Sequence, residues 1–143
     1  MKRILFLDSS VLVEFLLRDK PFMLKGAHSE DLMCSKLAEI EVHRALDRRF
    51  IEGKLTLNSF SEKLKEARWI FSMIRIIPLE SEIIERAKES FPTPVKTLDA
   101  LHLSTVLWLK EKHNVEPIFC TLDRQESLAA KALGFATQTE FAA

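Results

Sequence analysis

A chain of 143 residues, 47% hydrophobic and 29% charged, fits one domain over residues 1–143 with a single buried core, and its three glycines argue against a linker-rich or all-β design. Lysine plus arginine equals aspartate plus glutamate at 21 each, so no global positive field draws a polyanion and any nucleic-acid binding must use a local patch. Cys34 and Cys120 show neither a C-x-x-C spacing nor a nearby histidine cluster, which leaves zinc unsupported, argues against a disulfide framework and suits a reducing cytoplasm.

Met1-Lys2-Arg3 followed by apolar residues imitates the start of a secretory signal, yet Asp8 and Glu14 interrupt the apolar region and no small-residue cleavage site follows. No uninterrupted apolar run reaches the roughly 18 residues of a membrane span, so the expectation is a soluble, cytoplasmic chain without a membrane partner. Residues 3–7, continuously apolar from Ile4 on, have the pattern of a short strand covered on both faces. Asp8-Ser9-Ser10 then supplies capping chemistry before a buried helix over residues 11–17. Residues 18–31, with Pro21, Gly26 and several charges, read as a loop or short helix, and 32–34 as a second short strand. Ser35 is placed to cap a helix that runs to about residue 52 and is ended by Gly53. Phe60, Leu64, Ala67 and Phe71 form one stripe of an amphipathic helix over 57–72; with Trp69 it could face a second subunit, though domain core is the default use of such a stripe.

Residues 75–78 resemble a third strand, 80–90 a helix carrying Ile83, Ile84 and Ala87, and Pro92-Thr93-Pro94 breaks the chain before a helix over 97–112. A fourth strand over 115–121, a helix over 124–133 stopped by Gly134, and a candidate fifth strand over 135–138 complete the pattern. Strands alternating with helices predict an α/β fold, a parallel sheet of four to five short strands with helices on both faces.

Four acids lie in or beside apolar runs: Asp8 closing Ile4-Leu5-Phe6-Leu7, Glu41 within Leu37-Ala38-Glu39-Ile40-Glu41-Val42, Asp99 within Leu98-Asp99-Ala100-Leu101-His102, and Asp123 after Phe119-Cys120-Thr121-Leu122. An ionised carboxylate taken out of water without a partner costs several kcal/mol, so a shared divalent cation is the economical common partner. In parallel sheets function collects beyond the carboxyl ends of the strands, and Asp8 and Asp123 each follow an apolar strand, which puts both at that edge. Each acid taken singly has a plainer use: Asp8 and Asp123 as helix caps, Asp99 as a complement to the helix dipole. Periodicity alone does not choose between Glu39 and Glu41 as the inward glutamate. Oxygen ligands without cysteine or a histidine pair favour magnesium, with manganese as a substitute. Such a cluster should show raised carboxylate pKa values without metal and gain stability on binding it.

The ordered set Leu7-Asp8-Ser9-Ser10-Val11-Leu12, Ser35-Lys36-Leu37-Ala38-Glu39-Ile40-Glu41-Val42-His43-Arg44, Leu98-Asp99-Ala100-Leu101-His102-Leu103 and Thr121-Leu122-Asp123-Arg124 resembles the PIN-domain nucleases across nearly the whole chain, and more narrowly the VapC-type toxins. The resemblance implies a magnesium-dependent endoribonuclease acting on RNA, usually a homodimer, inhibited by a small antitoxin protein whose tail occupies the active-site groove. It places the family's catalytic and metal-holding acids on Asp8, Glu41 rather than Glu39, Asp99 and Asp123. Ser10 and Thr121 match hydroxyl positions near that site, where they would hold water or a carboxylate, and they could equally be generic caps. Arg44, three residues after Glu41, could meet a substrate phosphate or be a solvated charge beside Arg48 and Arg49. His102, one turn after Asp99, could be a general base, though a histidine on an apolar helix is more often a hydrogen-bonded core residue. The rim of the groove would draw on Arg18, Lys20, Lys25, Arg44, Arg48 and Arg49.

Phosphotransferase and receiver modules also use an aspartate after a first strand, but the haloacid-dehalogenase signature wants a second aspartate where this chain has Ser10, and a receiver wants an acidic pair before a separate phospho-accepting aspartate. A stand-alone RNA-processing nuclease and a non-catalytic RNA- or protein-binding module on the same fold stay open, the second disfavoured by the presence of all four acids.

Overall fold

In a computed structural model that describes residues 3–18 and 30–140, β1 (Arg3–Leu7) is the central strand of a five-stranded, wholly parallel sheet. It is flanked on one side by β2 (Glu30–Ser35) and then β3 (Arg75–Ile77), and on the other by β4 (Ile118–Cys120) and then β5 (Thr137–Gln138), an order of β3-β2-β1-β4-β5. Register pairs Leu5 with Leu32 on one side and with Ile118 on the other, so β1 has a strand on both edges and no polar backbone row open to water. The expected parallel α/β architecture is the one found, with five strands.

The pleat explains the apolar run of β1. Leu5 and Leu7 face a cluster with Val11, Leu12, Phe15 and Leu16 of α1 (Ser9–Arg18), Ala38, Val42 and Leu46 of α2 (Lys36–Ile51), and Ala67, Ile70 and Phe71 of α3 (Leu57–Ser72). Phe6 faces the opposite cluster, stacked on Phe119 at 5.6 Å between ring centroids, with Ile83 of α4 (Ser81–Ala87), Leu103, Val106 and Leu109 of α5 (Thr97–His113), and Ala129 and Ala130 of α6 (Arg124–Ala132). Both faces of the sheet are therefore covered, as parallel sheets require. Trp69 is exposed while Phe71 is buried, so the α3 stripe is used as core and its tryptophan is left over.

Some boundaries differ from the sequence pattern for local reasons. The fourth strand is shorter than 115–121 because Pro117 has no N–H to give a ladder. The first helix begins at Ser9, bringing both serines into its first turn, and α4 stops at Ala87 where Lys88 and Glu89 donate back to Glu85 and Arg86 in a tight final turn. Asn114 ends α5 in the left-handed region (φ 53) and Gly134 follows α6 at φ 96, the conformations that close helices most cheaply with asparagine or glycine. The loop expected at 18–31 lies largely outside the described residues, as do Lys20 and Lys25.

Candidate active site

From β1 the chain works outward through β2 to β3, then returns past β1 to form β4 and β5. The reversal falls between β1 and β4, and in an open parallel sheet the crevice beyond the carboxyl ends at that point is where ligands bind. Asp8 follows β1 there, and Thr121 and Asp123 follow β4. The two turns are joined directly: Asp8 N–H donates to the Cys120 carbonyl at 2.9 Å, extending the ladder by one bond.

Asp8 is 4% exposed, and its Oδ2 accepts two hydroxyls at 2.8 Å, one from Ser10 and one from Thr121. Each hydroxyl oxygen is itself anchored, Ser10 by the N–H of Leu122 and Thr121 by the N–H of Asp123, both at 3.0 Å. No helix N–H among the described residues meets the Asp8 carboxylate, so this aspartate is not a cap. Ser10 and Thr121 do combine both expected uses, turn anchor and carboxylate holder.

The glutamate ambiguity resolves by direction. Glu39 turns along the surface of α2 to pair with Lys36 at 2.9 Å, whereas Glu41 turns in and accepts from His102 Nε2 at 2.6 Å. The same nitrogen lies 3.4 Å from Asp8 Oδ1. His102 is thus a hydrogen-bonded core residue, 1% exposed, whose partner is a site carboxylate. Burial pushes its pKa down, but the hydrogen bond to Glu41 and the charges of Asp8, Glu41 and Asp99 outweigh burial and raise it overall. Ligand atoms of Asp8, Glu41 and His102 all lie within 4.8 Å of one another.

Asp99 sits in the first turn of α5. Its pKa is raised, first by burial and then by the nearby charges of Asp123 and Asp8, with His102 and a hydrogen bond from Glu126 pulling the other way. Asp123 is the N-cap of α6: one oxygen, Oδ1, accepts from the N–H groups of Gln125 at 2.9 Å and Glu126 at 3.2 Å. For this residue capping and site membership coexist, since the cap uses one oxygen. Asp123→Ala is expected to cost about 1 kcal/mol in urea denaturation and Asp123→Ser to recover it. An equal loss in both variants would mean that the carboxylate, rather than the cap, carries the stability.

Sequence patterning passed over Glu126. With Asp123 it spells the D-x-x-E of a capping box, in which the glutamate reaches back to the N-cap N–H. Here that N–H is taken by Thr121 Oγ1, so Glu126 is released from capping, and it is 1% exposed with oxygens close to Asp99 and Asp123. Burial, the charges of Asp8 and Asp99, a hydrogen bond with Asp8 and the charge of Asp123 push its pKa up to about 11. The available signal was helical spacing, because Glu126 shares the inward stripe of Ala129 and Ala130.

Beside the acids a groove of about 630 Å³ runs between α1 and α2, its walls including Leu17, Ile40, Leu98 and Leu122 and its rim Arg44, Arg48 and Arg49. Arg44 is exposed and paired with Asp47 at 3.1 Å; it lies along this groove and not among the carboxylates. The donor set is oxygen-rich, its single imidazole nitrogen already donates to Glu41, and Glu126 Oε1 accepts no hydrogen bond among the described residues. Carboxylates crowded in this way fit a hard divalent cation.

The family model of the PIN domain matches residues 5–132. Among curated proteins the chain is 23% identical over 140 residues to Ribonuclease VapC47 of Mycobacterium tuberculosis (strain CDC 1551 / Oshkosh), covering 93% of this chain and 94% of that one. Its fold is similar to a chain of VapBC-1 from nontypeable Haemophilus influenzae, with a TM-score of 0.63 and 11% identity over 94% of this chain and 96% of that chain. It is also similar to a chain of a toxin-antitoxin complex from Klebsiella pneumoniae, with a TM-score of 0.59 and 16% identity over 89% and 92%. No described helix is long and apolar enough to cross a membrane.

Proposed function

The chain belongs to the PIN-domain family, and on that premise we propose that it is a metal-dependent endoribonuclease that hydrolyses RNA phosphodiester bonds, acting as the toxin of a toxin-antitoxin pair in the cytoplasm. The observation that supports the proposal is a pair of acidic groups near the switch point of the sheet, Asp8 and Glu41 with His102, and Asp99 and Asp123 with Glu126, with Asp8 Oδ2 accepting two hydroxyls. In this reading Asp8, Glu41, Asp99 and Asp123 hold magnesium, or manganese in its place. The bound ion would supply Lewis-acid polarisation of the scissile phosphodiester and offset the charge that develops on its oxygens.

The protein's own part is positioning. The two short hydroxyl bonds sit on Asp8 Oδ2, while Oδ1 lies 3.4 Å from the Ser9 hydroxyl and 3.4 Å from His102 Nε2, which holds Glu41 beside it. Asp123 offers the oxygen that its cap does not use. Arg44, Arg48 and Arg49 give a net-neutral chain the local positive rim that an RNA backbone needs, and the apolar walls leave room for bases without sequence-reading groups. The partners of this proposal are the RNA substrate, a small antitoxin protein and a second copy of the chain. The name of the mycobacterial relative and the toxin-antitoxin complex from Klebsiella support the first two. Exposed Ile51, Leu57 and Trp69 give apolar surface for the third.

The test is cleavage of a mixed RNA pool by the purified, partner-free chain with magnesium, with manganese and with chelator. Cutting that needs either ion and stops with chelator is expected. A folded chain that cuts nothing under any of these conditions would overturn the proposal. Metal should also raise thermal stability in the absence of RNA, by about 2.7 kcal/mol at a free concentration one hundred times Kd, and a melting curve unmoved by saturating metal would count against the shared-cation site.

A further inference from the structure

We propose that a second cavity, on the other side of Asp99 from the arginine-rimmed groove, is a base-reading subsite that takes a guanine of the RNA strand lying across the acids. The proposal rests on the ribonuclease reading above and adds to it a source of sequence preference.

The cavity, of about 510 Å³, lies where the Pro92-Thr93-Pro94 turn meets the first turn of α5, and its lining includes Glu89, Phe91, Thr93, Val95, Thr97 and Ala100. That volume falls in the range of about 300–1,000 Å³ usual for small-molecule sites. Helical geometry places it beside the chemistry. Successive residues of a helix project about 100° apart, so Leu98, Asp99 and Ala100 face three neighbouring sectors. Leu98 lines the groove with Arg44, Arg48 and Arg49, Asp99 belongs to the carboxylates, and Ala100 lines the cavity. The acids therefore stand between the two, and a strand whose scissile phosphate meets Asp99 has one flanking nucleotide on each side.

The two sides differ in chemistry. The groove carries three arginines for phosphates, whereas among the described residues no lysine or arginine lines the cavity, and Glu89 there repels a phosphate. The part of a nucleotide that suits it is the base. Phe91 and Val95 pack against the core cluster that holds Phe6, and prolines on both sides of Thr93 fix the backbone, so the walls are set before a ligand arrives. Arg86 lies over the Phe91 ring at 4.5 Å, donates to the Ser90 carbonyl at 3.2 Å and reaches Glu89 at 3.6 Å, a loose brace that leaves the Glu89 side chain 68% exposed. Thr93 Oγ1 is buried and has no hydrogen-bond partner among the described residues, a cost that a polar ligand edge would remove. A carboxylate only accepts. Guanine is the base with two adjacent donors on one edge, N1–H and the 2-amino group, for Glu89, and it sets O6 beside them to accept from the Thr93 hydroxyl.

The test is cleavage of a randomised single-stranded RNA pool with magnesium, the cut ends being sequenced, by wild type, Glu89→Gln and Thr93→Val. Wild type is expected to enrich guanine at one position beside the cut. An RNA with inosine there, which lacks the 2-amino group, is expected to be cut with a kcat/KM lower by roughly tenfold. In Glu89→Gln the ratio of guanine to inosine RNA should fall to near one, because the amide turns one acceptor into a donor. Thr93→Val, nearly the same in shape without the hydroxyl, should reduce the preference for guanine over adenine. A ratio of two substrates cut by one protein is unmoved by a general loss of activity, and the Glu89 side chain is exposed enough to be replaced without disturbing the core. Cleavage by wild type without base preference, with a preference for another base, or with a guanine preference that Glu89→Gln keeps would overturn the proposal and leave the metal-dependent reading standing. No cleavage by a folded wild type would overturn both.

Discussion

Asp8→Asn is expected to fold normally and to lose metal-dependent RNA cleavage by roughly 10²- to 10³-fold or more, the scale on which a fixed electrostatic group at a reacting centre acts. The amide oxygen can take the place of Oδ2 and accept from Ser10 and Thr121, and His102 keeps its bond to Glu41, so the joint between the two turns survives. What is removed is one negative charge at a site 4% exposed to water. Circular dichroism and a melting curve establish the fold, and single-turnover cleavage with manganese reads the loss. A folded variant that cleaves like wild type would remove Asp8 from the chemistry, and one that unfolds would make it a structural residue first.

Glu126→Gln is expected to stabilise the metal-free protein at pH 7 by up to about 3 kcal/mol, which for a chain of this size raises Tm by roughly 10 °C. The sign follows from the direction of the shift. The folded pKa of about 11 lies above the ordinary 4.5, so between those values the folded chain holds a proton that the unfolded chain has released. Stability from this group is complete below about pH 4.5 and declines as pH rises toward 11. A glutamine holds no such proton, so the gap between variant and wild type should open from near zero at pH 4 and widen steadily through pH 8. Thermal denaturation in chelator at several pH values checks it. A gap that does not change with pH would show that the glutamine acts by packing.

The sheet edge was legible from sequence because strand patterning and the rule for parallel sheets act together: a short apolar run ending in Asp8, and another ending before Asp123, predict two carboxylates at one edge without any knowledge of strand order. The order itself, with β4 beside β1, is what sets Thr121 against Asp8, and nothing local in either segment encodes that pairing. Glu126 was hidden by a correct local rule. D-x-x-E at a helix start is ordinarily a cap, and only the long-range arrangement that gives the Asp123 N–H to Thr121 frees the glutamate. His102 was legible as core, but its partner lies 61 positions away on a different helix, beyond the reach of periodicity.

The clasp on Asp8 joins positions 113 apart in the chain, and the strand that brings Thr121 is among the last to be made. During synthesis β1 must therefore wait, unpaired along one edge, until β4 has been translated. A growing chain has no assembled carboxylate site: Asp8 and Glu41 are made early, while Asp99 arrives with α5 and Asp123 only after β4. Under the proposed function, that ordering has a protective result. The ribosome and the message would be spared the proposed activity until β4 and α6 dock against β1.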